Sequence, residues 1–380
     1  MLPLLYQQHL EKQFSRSEIL LLNLLINVLQ NIKKVSLEKL ATVLPIPILF
    51  ESRRKKIQRF ISLPSLSIEK LWFPIIKSWL VRDFEQNQVI YLVIDRTSWA
   101  CINLLMISII YEQRSIPIYF ELLPKLGSSN FTEQTKSISQ VLPLFTQYKT
   151  CLLGDREFCS VKLANWLRQS GLYFCLRLKK SEFIQVENGI WLELKELGLK
   201  PGISLFIQGV NVTKSHQMQG FNLACKWKRA LNGSSPKEAW FILTNLNSHS
   251  QAIIAYKKRF GIEEMFRDFK SGGYNLEESK VSGERLISLI LIVAFAYSLA
   301  TFQGQNIKKK GLQKYVARVK EYGRYQRRHS SFYIGLYGKN WVDFIADSWN
   351  LVEELMRINR SRLEYYLRGL RAMELILNAS

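Results

Sequence analysis

The chain is predicted to fold as a mixed α/β protein, a buried sheet flanked by helical regions, and three features carry that expectation. Continuous apolar runs, Val89 to Ile94 first among them, have the character of strands covered on both faces. Such runs alternate with amphipathic stretches in the order three strands, helix, strand, helix, strand. On either side the periodicity is helical, as in Leu20, Leu21, Leu24, Leu25 and Val28.

Each element follows in turn. Residues 1–85 form a helical region in which Ser36 and the four residues after it resemble a capped helix start. Its Arg53, Arg54, Lys55, Lys56 and Arg59 suit either a solvated helix face or phosphate contact. The run from Val89 ends at Asp95, and Ile102 to Tyr111 and Ile116 to Leu123 supply two more strands. A helix over Glu133 to Phe145 leads to a strand at Cys151 to Leu153, which stops at Gly154-Asp155; a helix over Ser160 to Ser170 then feeds a strand from Tyr173. This is the order of a ribonuclease-H-like mixed sheet. It divides the chain into a helical region (1–85), a first part of the core (86–180), a β-rich insertion (181–247), a second part of the core (248–303) and a basic helical region (304–380). The insertion is marked by turns at Asn188-Gly189, Pro201-Gly202 and Asn232-Gly233.

There are 53 Lys and Arg against 31 Asp and Glu, a net charge of +22, which calls for a polyanionic partner, nucleic acid or an anionic membrane. The basic residues run from Arg53 to Arg360 rather than filling one tail, as expected of a folded surface that tracks a long backbone. Five cysteines without a CxxC pair fit a reducing compartment. Charges appear by Glu11 and Lys12, so no secretory segment is expected and the cytoplasm is the predicted location. The apolar run Leu286 to Ala300 falls short of the roughly 20 residues of a membrane span and is expected to be a core helix. His9, His216, His249 and His329 are scattered, and none is assigned to catalysis.

Chemistry is expected from carboxylates. Breaking or transferring a phosphodiester takes activation of the attacking oxygen and stabilisation of the leaving one, which two divalent ions about 3.5–4 Å apart accomplish. Mg²⁺ takes hard oxygen ligands and keeps several waters, so two or three Asp or Glu suffice. Asp95 and Asp155 each close an apolar strand. Alone, either could be a turn or cap residue; neighbouring strands would bring both to one edge of the sheet. The third group is Glu263, on a helix predicted from about Gln251 to Lys270. There Tyr256, Arg259, Glu263 and Lys270 fall within roughly 60° of one another, while Ile254, Ala255, Ile262, Met265, Phe266 and Phe269 form the adjoining apolar side. Glu264 points about 100° away and is the poorer ligand.

The spacing Tyr256-x2-Arg259-x3-Glu263-x6-Lys270 resembles, without a gap, the YREK signature of the IS4 family of bacterial insertion-sequence transposases. The segments at Asp95-Arg-Thr-Ser-Trp and Gly154-Asp155-Arg-Glu-Phe resemble that family's two aspartate motifs, and the likeness covers about residues 85–300. It implies a metal-binding triad of Asp95, Asp155 and Glu263 for two Mg²⁺ ions, replaceable by Mn²⁺, with Tyr256, Arg259 and Lys270 on DNA phosphates. By the same likeness Arg177 lies near the transferred strand, and Trp240 stacks on a base flipped from the duplex while a hairpin forms at the transposon end. Trp191 and Trp227 are less well placed for that role, and Trp240 could equally open a core strand. Phe260 stands where some members carry Trp.

The expected function is cut-and-paste DNA transposition on double-stranded terminal inverted repeats and target DNA, by a homodimer in the DNA complex. From Lys308 to Arg328 nine Lys or Arg stand against one acid, Glu321, a further DNA-facing surface. Two competitors remain: a ribonuclease-H-like nuclease without strand transfer, and a non-catalytic, domesticated DNA-binding protein.

Overall fold

The computed structural model of the chain describes residues 2–185, 189–213, 218–229, 238–320, 322 and 328–378. Asn188, His216, the turn Asn232-Gly233 and residues 321 and 323–327 of the basic segment lie outside them. The chain divides into two compact units, Met1–Leu71 with Phe269–Ser380, and Trp72–Asp268.

The first unit opens with helices α1 (Leu4–Leu10), α2 (Arg16–Ile32), α3 (Leu37–Val43) and α4 (Phe50–Phe60). Ser15 and Glu18 form a capping box at the start of α2, and Ser36 caps α3 by accepting from the Lys39 amide at 3.2 Å. The helical spacing of the leucines buries Leu21, Leu22, Leu25 and Leu29 of α2.

The second unit begins with α5 (Phe73–Asp83) and is built on strands β1 (Val89–Trp99), β2 (Ile102–Tyr111), β3 (Arg114–Leu122), β4 (Lys149–Gly154), β5 (Tyr173–Arg177), β6 (Phe183–Gln185), β7 (Trp191–Glu193), β8 (Ser204–Val212), β9 (Met218–Lys226) and β10 (Trp240–Thr244). Helices α6 (Phe131–Val141) and α7 (Val161–Gln169) join β3 to β4 and β4 to β5. The ten strands form one sheet in the order β3-β2-β1-β4-β5-β10-β9-β8-β6-β7. β1, β2 and β3 are an antiparallel meander, and β4 lies parallel to both β1 and β5. This is the ribonuclease-H-like arrangement expected from the sequence. The chain leaves β1 on one side through β2 and β3 and returns on the other as β4, whose carboxyl end at Gly154 pairs with Ile94 in the middle of β1.

Three expectations are corrected. The first strand does not end at Asp95 but continues to Trp99, because β2 pairs with it antiparallel as far as Trp99↔Ile102. The helix drawn from Glu133 to Phe145 starts earlier, where Asn130 and Glu133 form a capping box, and ends at Val141, where Pro143 leaves only a 3-10 turn. The helix drawn from Gln251 to Lys270 is two helices, α8 (His249–Lys258) and α9 (Phe260–Phe269), meeting at Arg259. Ile254 of α8 is exposed rather than part of the apolar side.

The first unit closes with α10 (Gly283–Lys309), α11 (Gln313–Val316), α12 (Ser331–Ile358) and α13 (Leu363–Leu377). At 27 residues α10 is longer than the apolar run suggested, and long and apolar enough to cross a membrane; most of its apolar stretch is buried inside the protein. It packs on α2 and α12, and the Gln30 side chain donates to the Ala296 carbonyl at 3.0 Å. A Cβ on Gly304 would meet the Gly335 amide nitrogen at 2.7 Å, so α10 and α12 cross backbone to backbone.

Candidate active site

Strand register brings the two aspartates together. Ile94↔Gly154 is the last pair between β1 and β4, and Gly154↔Leu176 the last between β4 and β5. Asp95, Asp155 and Arg177 are each the next residue, so they stand in a row across three adjacent strands, which in a sheet lie about 4.8 Å apart. Gly154 is required there: a Cβ would sit 2.8 Å from Phe158 Cβ and 2.9 Å from Leu176 Cδ2 as the chain turns into the 3-10 segment Arg156–Phe158.

The aspartates are held alike. Asp95 Oδ1 accepts from the Arg96 amide at 2.8 Å, and Asp155 Oδ1 accepts from the Arg156 amide. Their Oδ2 atoms face one nitrogen, Arg259 Nη1, at 3.3 Å and 3.9 Å. Arg259 Nη2 pairs with Glu263 one turn along the helix. The break between α8 and α9 thus carries a buried arginine, 3% exposed, that touches all three carboxylates. Burial pushes the Asp95 carboxyl up to about 7, against Arg259 and the Arg96 amide, with Asp155 and Glu263 adding to the rise. Burial opposes the Arg259 charge too, but Tyr256 and the carboxylates outweigh it and hold its pKa above the usual range. The Tyr256 hydroxyl and Arg259 Nε are buried without a hydrogen-bond partner.

Other sequence-derived candidates take distinct places. Glu264 turns to Arg114 on β3, 3.3 Å away, which also pairs with buried Asp268 at 3.1 Å. Burial pushes Asp268 up to about 6 despite that arginine. Lys270 follows α9 in the first unit, paired with Glu277 at 3.0 Å. Trp240 opens β10, where it is 9% exposed, edge-on to Tyr256 at 5.2 Å and tilted to Phe260 at 6.0 Å. Lys228 Nζ lies over its ring at 4.6 Å. Trp191 begins β7, and Trp227 follows β9.

Two acids escaped the sequence reading. Glu157 accepts from Arg96 Nε at 3.0 Å and from Ser129 at 2.9 Å, which ties together the segments that follow the two aspartates. Glu238, just before β10, accepts from Arg177 at 2.8 Å and from Arg156. The charges directly after each aspartate, Arg96, Arg156 and Glu157, were the available signal for such partners.

A ribonuclease-H-like sheet with three carboxylates gathered on one arginine is the arrangement of an enzyme of phosphodiester chemistry. The family model of the transposase DDE domain matches residues 96–299, more than half of the chain, and the chain belongs to that family. It is a DNA transposase, a nuclease and strand transferase, and enzymes of this family depend on divalent metal ions. The match begins directly after Asp95. No curated protein matches the chain. Among solved structures, the chain is similar to the piggyBac transposase in a cryo-EM synaptic complex with hairpin DNA, at 14% identity, 96% coverage of this chain and 76% of that one, with a TM-score of 0.43.

The donor set fits a divalent ion. Both Oδ2 atoms are hard oxygens aimed at one cationic nitrogen, the charge type a metal would supply. Among the described residues no three His, Cys, Asp or Glu side chains enclose an ion by themselves; at this site Arg259 stands among the carboxylates.

Proposed function

We propose that the protein carries out cut-and-paste transposition of an insertion sequence of the IS4 type, with Asp95, Asp155 and Glu263 holding two Mg²⁺ ions. The observation that carries this is the shared register of Asp95 and Asp155, whose Oδ2 atoms face the same Arg259 nitrogen. When bound, the ions activate the attacking oxygen and take up charge on the leaving one. The chain's part is to present the carboxylates ready-made. Each aspartate is fixed through Oδ1 by its neighbour's amide, so little reorganisation is needed when Oδ2 is engaged.

Arg259, Tyr256 and Lys270 supply a forked cation, a hydroxyl and a point charge for DNA phosphates. Arg177 would contact the strand beside Asp155. In this scheme water first cleaves the phosphodiester at each element end and frees a 3′ hydroxyl, which then attacks a phosphodiester of the opposite strand, closing a hairpin and releasing the flanking DNA through its 3′ oxygen. A second water reopens the hairpin, and the 3′ hydroxyls attack target DNA. Trp240 would stack on the flipped base, for which Lys228 must leave its ring face. Double-stranded terminal repeats and target DNA, bound by a homodimer, complete the proposal, with the helical region 1–85 and the basic region 304–380 as further DNA contacts.

The test uses purified protein and DNA carrying the terminal repeats that flank its gene. Nicked, hairpin and joined products are expected only with Mg²⁺ or Mn²⁺. Nicks without joined products would leave a nuclease. Six to ten phosphate contacts give an expected log-log salt slope of roughly −5 to −9 for end binding, and a slope shallower than about −2 contradicts an extended groove.

A further inference from the structure

Glu238 is surrounded by more positive charge than it can neutralise. Arg177 Nη2 and Arg156 Nη2 both donate to its Oε1 atom, so two guanidinium groups share one carboxylate oxygen. Arg177 stands in the strand row with Asp155, and Arg156 is the residue after it. The three side chains are 15%, 42% and 29% exposed for Arg177, Arg156 and Glu238, so the cluster is reachable from solvent.

We propose that Arg156 and Arg177 form a phosphate subsite beside Asp155, in which the Glu238 carboxylate stands where a DNA phosphodiester binds and lowers the affinity for DNA that cannot displace it. A phosphodiester matches the pair better than the carboxylate does. It offers two non-bridging oxygens, one for each guanidinium, where the present arrangement crowds both onto one atom. A partly exposed ion pair is weakly held, so exchange for a phosphate meets little resistance. Glu238 would also keep two unpaired arginines from repelling each other in the free protein.

The inference rests on the reading of DNA as substrate, and the experiment separates the two. Full-length protein in EDTA is titrated with a fluorescent random-sequence duplex at several salt concentrations. Glu238→Gln is expected to bind about tenfold tighter than wild type, with a log-log salt slope steeper by one to two, the signature of one or two more phosphates engaged. The gain should vanish when Arg156→Ala and Arg177→Ala are added. Unchanged or weaker binding by Glu238→Gln, or a gain that persists without both arginines, overturns the subsite. If Glu238→Gln melts far below wild type, Glu238→Asp, whose shorter side chain draws the carboxylate back from the two guanidinium groups, decides: tighter binding with a steeper slope supports the subsite, and unchanged binding overturns it. Failure of the wild type to bind any duplex would instead sink the transposase reading.

Discussion

Two ionic centres of the second unit use the same chemical groups in opposite proportion. Around Arg259, one guanidinium serves three carboxylates; around Glu238, one carboxylate serves two guanidinium groups. The first is left with excess negative charge and suits cations, the second with excess positive charge and suits anions. Ion pairs by themselves would not have separated them, since buried or half-buried pairs are weak evidence of stability. What separates them is the sign of the charge left over, and for a reaction at phosphorus both signs are needed side by side.

The largest expected effect comes from changing the first balance. Asp95→Asn, Asp155→Asn and Glu263→Gln should each lower cleavage by roughly 10³-fold or more, the several kcal/mol of charge stabilisation lost with a metal ligand. Binding to the element end should stay close to wild type in gel-shift titrations. Normal cleavage by Glu263→Gln together with loss in Glu264→Gln would move the third ligand to the other acid.

Trp240 belongs to both regions, being two residues from Glu238 and in contact with Tyr256. Trp240→Ala should slow hairpin formation by roughly 5- to 150-fold, the worth of one base–aromatic stack of about 1–3 kcal/mol, and slow the first nick far less. An abasic site at the flipped position should restore part of the loss. Equal slowing of both steps without rescue would return Trp240 to the core.

Gly261 sharpens the geometry of the first centre alone. A Cβ there would sit 3.1 Å from Ile110 Cδ1 and 3.3 Å from the Ser115 amide nitrogen, so its absence lets α9 lie close against β2 and β3. Gly261→Ala should shift Glu263 by tenths of an ångström and cost roughly tenfold in cleavage, small beside the 100-fold of a 1 Å misplacement. Unchanged single-turnover rates would show that Glu263 needs no such fit.

The smallest effect is on stability. With Asp95 pushed up to about 7, the folded metal-free protein holds a proton between about pH 4 and 7 that the unfolded chain has released. That stabilisation is full below the unfolded value and is lost as pH rises through 7. Melting temperatures in EDTA should fall by a few degrees from pH 5 to 8, and less steeply in Asp95→Asn. Asp268, at about 6, acts in the same direction and preserves part of the fall. Identical slopes for the two proteins would mean that Asp95 ionises normally.

The apolar runs at Val89 and Cys151 made the central strands legible, because strands buried on both faces need no partner information to be recognised. Asp95, Asp155 and the helix carrying Glu263 were legible by position and spacing. The extension of β1 to Trp99 was not, since Arg96, Thr97 and Ser98 are polar and their pairing is supplied by β2. Neither was the break at Arg259, which leaves the helical spacing almost intact while two helices end and begin. Glu238 lay furthest from view, because its partners are 61 and 82 residues away and only the folded sheet brings them near.

The row formed by Asp95, Asp155 and Arg177 also sets what kind of change the gene can tolerate. Residues inserted in the connections between these strands leave the row intact, since the connections do not fix which residue follows the last pair. One residue gained or lost within β1 or β4 is different: it turns the aspartate to the opposite face of the sheet while the apolar strand can still pair. Such a deletion would yield protein that folds and accumulates yet never moves DNA, so a frame-preserving lesion of three nucleotides there would silence the element as surely as a stop codon.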